Sequence, residues 1–147
     1  MRAALAGAQS PYARVRDELD WLRSYCALMC ERQPGRLQVT IAADDTAEVA
    51  RMPRLLLQPL VENAFRHGLA DGRGTLSVTL NSVAGDLHCT VSDNGSGYLA
   101  GREGVGLTNV RERLRLLYGA RATLNIAARP EGGTQVSVWL PLEPADA

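Results

Sequence analysis

The order of apolar and polar residues predicts three helices. Over 11–32 apolar side chains return every three or four positions, with acidic residues early and arginine late, as in an amphipathic helix. A second helix is predicted over 53–67, where Pro59 should produce a kink and Gly68 should mark the end. A third is predicted over 107–118, where leucine and valine line one face.

Five other segments alternate apolar and polar residues, which is typical of strands with one buried face. They cover 37–41, 75–80, 87–92, 122–127 and 135–140. A turn near 84–86 makes the second and third an antiparallel pair, and the polar stretch 44–51 carries no predicted element. Helices on one side of a mostly antiparallel sheet predict an α+β fold, a two-layer α/β sandwich.

Composition narrows the possible chemistry. The chain has 147 residues, the size of one domain, and all 16 of its basic residues are arginine. The absence of lysine excludes a Walker-A phosphate loop and the protein-kinase strand that carries a lysine, because both need that side chain on the phosphates. Sixteen acidic residues balance the arginines, so no excess of positive charge favours nucleic acid.

The cysteines and the hydropathy suggest where the chain resides. Three cysteines, an odd number without metal-type spacing, favour reduced thiols in a cytosolic setting. No apolar run reaches the length of about 18 residues that a membrane helix needs, and no signal peptide is recognisable. The chain is therefore expected to be soluble as given.

The second predicted helix carries a polar face with varied chemistry. Residues 59, 63, 66 and 67 share that face, and Leu56, Leu60 and Ala64 form the opposing core stripe. An amide oxygen, as on Asn63, suits Mg²⁺ that shares its shell with phosphates and water. Arg66 and His67 can meet phosphate oxygens or ribose, and Glu62 can accept a proton. The alternative is a surface helix whose polar face contacts only solvent.

A glycine-rich stretch follows the strand over 87–92. Asp93 ends the alternating run, so the sheet holds its carboxylate, which accepts hydrogen bonds only and suits the exocyclic amine of adenine. Gly95 and Gly97 allow the backbone to approach a flat ring closely. The alternative is a simple hairpin turn, since Asp-Asn-Gly is a common turn sequence.

Two further signals lie closer to the end of the chain. Gly104, Val105, Gly106 and Leu107 lead into the third helix, whose free amides with flexible glycines before them form an anion site. This is not the dinucleotide fingerprint, because a third glycine and a preceding strand are missing. Thr134, at the entry to the last strand, has an inward-pointing hydroxyl that can bridge to a base through water. The alternative is a threonine without a role, as most at strand starts are.

In this order and spacing, the segments 58–68, 93–97, 104–107 and 132–134 resemble the GHKL superfamily, which comprises gyrase, Hsp90, histidine kinase and MutL proteins with the Bergerat ATP-binding fold. Residues 53–68, together with the stretch from Glu18 to Tyr25 and Glu31-Arg32, are similar to LytS/AlgZ-type sensor histidine kinases. The resemblance extends from about Arg16 to Leu142.

The resemblance implies roles for individual residues. Asn63 matches the Mg²⁺ ligand, Asp93 the adenine-reading carboxylate, and Glu62 a catalytic or polarising acid. Arg66 and His67 match positions that contact nucleotide, and Arg66 is expected to neutralise charge during transfer. The remaining matches are the base-side Gly95, Gly97 and Thr134 and the phosphate-side Gly104, Val105, Gly106 and Leu107.

One departure from the family concerns the phospho-accepting histidine. No motif of the His-Phe-Leu-Phe-Asn kind is present; His67 lies in the nucleotide segment and His88 in mid-strand. The resemblance therefore implies a catalytic ATP-binding domain over 35–147, with 1–34 as the helical tail of the dimerisation and phosphoacceptor region.

Such a domain would use ATP and Mg²⁺ and act on a phosphoacceptor helix and a response regulator. The full-length kinase is expected to be a membrane-attached homodimer with this domain in the cytoplasm. One alternative is an anti-sigma-factor-type module that phosphorylates serine on a protein partner. The other is a scaffold that kept the fold and lost nucleotide binding.

Overall fold

The computed structural model describes residues 10–32, 34–95 and 105–145. Its elements in chain order are β1 Tyr12–Arg14, α1 Val15–Arg32, β2 Leu37–Ala43, α2 Asp45–Glu48, β3 Arg51–Pro53, α3 Leu57–Asn63, a π-helical turn Ala64–Gly68, β4 Gly74–Val83, β5 Asp86–Asp93, α4 Val105–Tyr118, a 3-10 turn Gly119–Arg121, β6 Thr123–Ala128 and β7 Thr134–Pro141.

Five strands form the main sheet in the order β2-β4-β5-β7-β6. The β2–β4 pair is parallel and the other three pairs are antiparallel. Along β4 and β5 every second side chain is buried, which places one face of the sheet against the helices and leaves the other polar. The predicted fold class, a two-layer α/β sandwich with a mostly antiparallel sheet, is confirmed.

One hydrophobic core joins the sheet to the helices. From α1 it receives Val15, Leu19, Leu22 and Cys26. These side chains belong to the same cluster as the buried faces of β4, β5, β7 and α4. The helix before position 35 therefore packs onto the sheet. That residues 1–34 are the tail of a dimerisation and phosphoacceptor region stays a prediction.

Two short strands were missed by the sequence pattern. The first helix was predicted to start near Pro11, but Tyr12–Arg14 forms β1, which pairs antiparallel with β3, and the helix begins at Val15. The stretch 44–51, predicted without structure, contains α2 and the start of β3. Three-residue strands are too short to show alternation, so only their pairing reveals them.

The second predicted helix begins later than expected. Pro53 ends β3, and α3 starts at Leu57. Pro59 is then the third residue of the helix, where the backbone N–H would have no partner within the helix. Proline at that position removes no hydrogen bond from the helix, so the stated cause of the expected kink does not apply, and the kink itself stays a prediction.

The predicted end at Gly68 is confirmed, although the last turn is wider than in an α-helix. The Leu69 N–H donates to the Ala64 carbonyl at 2.8 Å, five residues back. This π-helical turn buries Phe65 and Gly68 and leaves Arg66 and His67 exposed. Such turns are frequent at functional sites. Within the described ranges, no helix is long and apolar enough to cross a membrane.

Candidate functional site

A cavity of about 240 Å³ lies between the first turn of α4 and the polar face that α3 shares with the π-helical turn after it. Its lining consists of Pro59, Glu62, Asn63, Arg66, His67, Gly106 and Leu107. The predicted face of residues 59, 63, 66 and 67 is thus brought together on one cavity wall. The start of α4 supplies the opposite wall, as expected if its amides serve the same ligand.

Glu62 is oriented by its own helix. Gln58, one turn earlier, donates from Nε2 to Glu62 Oε2 at 3.1 Å. The same carboxylate lies close enough to Tyr25 on α1 to raise the pKa of the tyrosine hydroxyl, although burial is the larger cause. Gln58 was not predicted as a site residue, yet its spacing of four from Glu62 on a helix is a signal that could have found it.

Asp93 lies at the end of β5 with only 4 % of its surface exposed. The Gly95 N–H donates to Asp93 Oδ1 at 2.9 Å. Burial raises the pKa of the Asp93 carboxyl, while the backbone N–H groups of Gly95 and Thr134 and the charge of Arg129 act in the opposite direction. Aspartate is seldom buried without an ion pair, and no ion pair of Asp93 is found among the residues that the structure describes, so this carboxylate is a functional candidate on physical grounds.

Glycines allow the chain to close around Asp93. A Cβ on Gly68 would lie 2.4 Å from Asp93 Oδ1, and one on Gly95 would lie 1.5 Å from the Gly68 carbonyl oxygen. A Cβ on Gly133 would lie 1.9 Å from the Asp93 carbonyl oxygen. Each distance is shorter than any real contact allows. The end of the π-helical turn, the end of β5 and the start of β7 can meet here because all three residues lack a side chain.

Thr134 stands directly opposite Asp93 in the β5–β7 ladder. Thr134 lies two positions before the buried Val136 on the same strand, so both residues lie on the helix-facing side of the sheet. The expectation that this residue points inward agrees with the register. Its contact with a base stays a prediction.

Asn63 ends α3 and Asp93 ends β5, so the two residues belong to different elements. Asp93 is not among the described residues that line the 240 Å³ cavity; it packs beneath Gly68, five positions after Asn63. Gly97 and Gly104, predicted for the base and phosphate sides, lie outside the described residues, and Val105 is the first residue of α4. That Asn63 and Asp93 share a single nucleotide cavity stays a prediction.

Three larger surface cavities lie elsewhere. They measure about 320 Å³ beside β1, 370 Å³ on the polar face of the sheet and 340 Å³ between α4 and β6. Among the described residues that line them, none of the three sets combines an amide, an acid, a guanidinium and an imidazole. The chemistry therefore favours the smaller cavity.

A metal site made by the protein alone is not present in the described part of the chain. No group of three or more histidine, cysteine or acidic side chains could hold an ion there. Mg²⁺, however, keeps several waters and takes phosphate oxygens, so one or two protein oxygens suffice. The Asn63 amide oxygen and the adjacent Glu62 carboxylate lie at one cavity and fit that limited role.

The three cysteines are free thiols in the structure. Burial raises the pKa of the Cys26 and Cys89 thiols to about 12. Thiols with such high pKa values are poor nucleophiles at neutral pH. They belong to the core, and we assign them no chemistry.

Residues 48–144 match the family described as histidine kinase-, DNA gyrase B-, and HSP90-like ATPase. The sensor protein LytS of Bacillus subtilis is 31% identical over 97% of this chain and 27% of its own length. Sensor histidine kinase YesM of the same organism is 32% identical over 86% of this chain and 23% of its length. The chain thus spans about a quarter of the length of these relatives.

Solved structures show the same fold. The catalytic domain of histidine kinase ThkA superposes with a TM-score of 0.70 at 14% identity, covering 90% of this chain and 97% of that one. The histidine kinase domain of the Erythrobacter litoralis EL346 blue-light activated histidine kinase gives 0.64 at 23% identity, covering 96% and 72%. At these identities the likeness concerns the fold alone.

Proposed function

Because the chain belongs to the family of histidine kinase-, DNA gyrase B- and HSP90-like ATPases, we propose that it is the ATP-binding catalytic domain of a sensor histidine kinase. It transfers the γ-phosphoryl group of ATP to a histidine on a helix outside this chain, and a response regulator then takes the group. Sensor histidine kinases among its relatives support this role. The observation that carries the proposal is the cavity where the polar face of α3 meets the start of α4.

The phosphates occupy the α4 side of that cavity. The first N–H groups of a helix have no partner within it and carry partial positive charge, so the amides near Gly106 and Leu107 suit anionic oxygens. Arg66 on the opposite wall adds a full positive charge. Mg²⁺, when bound, supplies further neutralisation of the phosphates, with Asn63 as its protein ligand.

The reaction requires little covalent chemistry from the protein. Phosphoryl transfer is accelerated mainly by positioning and charge stabilisation, which the cavity walls provide. Glu62, held by Gln58, accepts the proton of the attacking imidazole. Asp93 binds the exocyclic amine of adenine at the far end of the nucleotide.

The two histidines of the chain do not accept the phosphoryl group in this proposal. His67 lines the cavity itself. His88 stacks on Trp139 with ring centroids 3.9 Å apart, and its Nε2 is 2.6 Å from Ser137 Oγ. An imidazole in such a stack on the polar face of the sheet is turned away from the cavity, because the helices cover the other face.

The whole kinase is proposed to be a membrane-attached homodimer with this domain in the cytoplasm. Its relatives extend well beyond the aligned region, which leaves room for sensor and dimerisation segments. The serine-kinase alternative is not favoured, since the relatives named above are sensor proteins and sensor histidine kinases.

Calorimetry with ATP and Mg²⁺ on three proteins tests the proposal. We expect the native chain to bind and Asp93→Asn to bind about 100-fold more weakly, because an amide N–H₂ would face the adenine amine. Asp86→Asn, at the exposed start of the same strand, is the matched control and should bind normally. If the native chain gives no binding heat with ATP and Mg²⁺, it is a scaffold that has lost nucleotide binding.

Incubation with γ-labelled ATP is the second arm. The chain alone should remain unlabelled because it lacks the acceptor histidine. A full-length kinase that contains this chain should become labelled. Acid-labile labelling of His67 or His88 in the chain alone would contradict the proposal that the acceptor lies outside this chain. The proposed ATP binding would not be contradicted by that result.

A further inference from the structure

Arg129 reaches from the β6–β7 turn to the end of β5. Its Nη1 donates to the Asp93 carbonyl oxygen at 2.9 Å, across 36 positions of sequence. Its Nη2 lies 3.3 Å from Glu131 Oε2, and 23% of the side chain is exposed. The turn itself is closed by the Arg129 N–H, which donates to the Gly133 carbonyl at 2.9 Å. The guanidinium is thus held in place from both sides.

Asp93 accepts hydrogen bonds at both its main chain and its side chain. The main-chain carbonyl is taken by Arg129, and the carboxylate accepts the backbone N–H groups of Gly95 and Thr134. A carboxylate has about four acceptor positions, so some remain for a ligand. Both ends of the residue are therefore fixed before any ligand arrives.

The charged groups around Asp93 differ in placement. Arg66 and His67 occupy exposed positions of the π-helical turn that packs on Asp93 through Gly68. Glu131, on the turn side, is paired with Arg129. Arg129 itself favours the ionised form of Asp93 and opposes the effect of burial.

We propose that Arg129 is a positioning residue that sets purine specificity: by binding the Asp93 carbonyl with a positively charged guanidinium, it makes the site prefer a 6-aminopurine nucleotide over a 6-oxopurine nucleotide. An ionised carboxylate can only accept and therefore repels a 6-oxo group. A protonated carboxyl also donates and would tolerate it. This inference rests on the proposed nucleotide site but concerns a residue that has no part in the chemistry of transfer.

The test compares ATP with inosine triphosphate, both with Mg²⁺, by calorimetry from acid to neutral pH. With Arg129→Gln we expect ATP affinity to fall about tenfold, as for loss of a charged hydrogen bond. The preference for ATP over inosine triphosphate should shrink, and ATP binding should be lost at a higher pH than in the native chain. Arg129→Lys keeps the charge and should restore the pH dependence. Arg121→Gln, on the exposed 3-10 turn, is the matched control and should behave as native.

Glu131→Gln should shift the pH dependence of ATP binding in the opposite direction. It keeps the inference testable if Arg129→Gln does not fold. Removing the acid frees Arg129 from its counter-charge, so the loss of ATP binding should move to lower pH. A merely structural role for Arg129 predicts no shift in either direction. The inference is overturned if a folded Arg129→Gln keeps the native nucleotide ratio and pH dependence, or, should that variant not fold, if Glu131→Gln leaves the pH dependence unchanged. If the native chain binds neither nucleotide, the proposed function fails instead.

Discussion

At the scale of single residues, Asp93 is an acid in surroundings that oppose its charge. Its pKa in the folded chain lies above the ordinary value of 3.8, with burial as the main cause. The folded state therefore holds this proton more tightly than the unfolded chain does. Stability contributed by Asp93 decreases as pH rises from the ordinary value through the raised one, and the cost remains at higher pH. A buried acid that weakens the fold is consistent with a role in binding.

Gly68→Ala tests the close packing around this acid. A methyl group there would lie within 2.4 Å of Asp93 Oδ1, so the carboxylate or the helix end must move. We expect the free energy of unfolding to fall by about 1–3 kcal/mol, as for overpacking, and ATP binding to weaken. Urea denaturation and calorimetry measure the two effects.

Gly106→Ala is the matched control for stability. Its methyl group would lie 3.7 Å from the nearest atom, Pro59 Cβ, and the residue is already helical. Its free energy of unfolding should be unchanged or slightly higher, since alanine favours helix. Equal stability of the two variants would show that Gly68 tolerates a side chain.

At the scale of elements, the Asp44 side chain forms hydrogen bonds with both a helix and the sheet. Asp44 caps α2 by accepting the Ala47 N–H at 2.7 Å, and its other oxygen accepts the Ser82 N–H on β4 at 2.7 Å. These bonds lower the pKa of the Asp44 carboxyl, with Ser82 as the largest cause. One carboxylate thus connects a helix to the sheet.

Asp44→Ala should destabilise the chain at neutral pH and less so in acid. Because the pKa of Asp44 is lowered on folding, its contribution is present above the ordinary value and lost as pH falls through the lowered one. Urea denaturation of both proteins along this pH range should show their difference shrinking. Asp45→Ala, the exposed neighbour, is the control and should show little effect; a constant difference for Asp44→Ala would contradict the mechanism.

The turn between β4 and β5 offers a stabilising change. Val83 pairs with Asp86, so the loop has two residues, and both have positive φ, 50° at Ala84 and 87° at Gly85. This geometry favours Asn-Gly. Ala84→Asn should raise the free energy of unfolding by about 0.5–1 kcal/mol without changing ATP binding. Ala84→Val, which is β-branched at the same φ, should lower it, and thermal denaturation compares them.

At the scale of the whole molecule, α1 is part of the domain that contains the site. Four of its side chains are buried in the core shared with the sheet. Each buried aliphatic side chain contributes about 1.5–3 kcal/mol. Their sum approaches the stability of a typical domain, about 5–15 kcal/mol.

A chain that begins at Gly35 should therefore fail to fold cooperatively. Circular dichroism during heating and gel filtration would show a loss of the transition and association through the exposed core. In the whole chain, Leu22→Ala should cost about 2–5 kcal/mol, whereas Leu28→Ala, 60% exposed on the same helix, should cost under about 0.5 kcal/mol. A sharp transition in the shortened chain would show that the sheet domain is independent of α1.

Prediction from sequence succeeded where the signal is local. The alternation in β4 and β5, the helical periodicity of α1 and α4, and the polar face of α3 are all visible in short windows, and the structure contains each of them. The start of α3 and the β1–β3 pair were missed because they depend on partners far along the chain.

The sequence by itself determined the longer helices and the five strands of the main sheet, which face of α3 is polar, and where a carboxylate follows a strand. These properties depend on backbone preferences and on the period of apolar residues, which each segment carries on its own. Only the tertiary structure decided that Gly68 and Gly133 close around Asp93 and that Arg129 holds its carbonyl. Those contacts join residues far apart in the chain, and packing of the elements, rather than any local pattern, sets such distances.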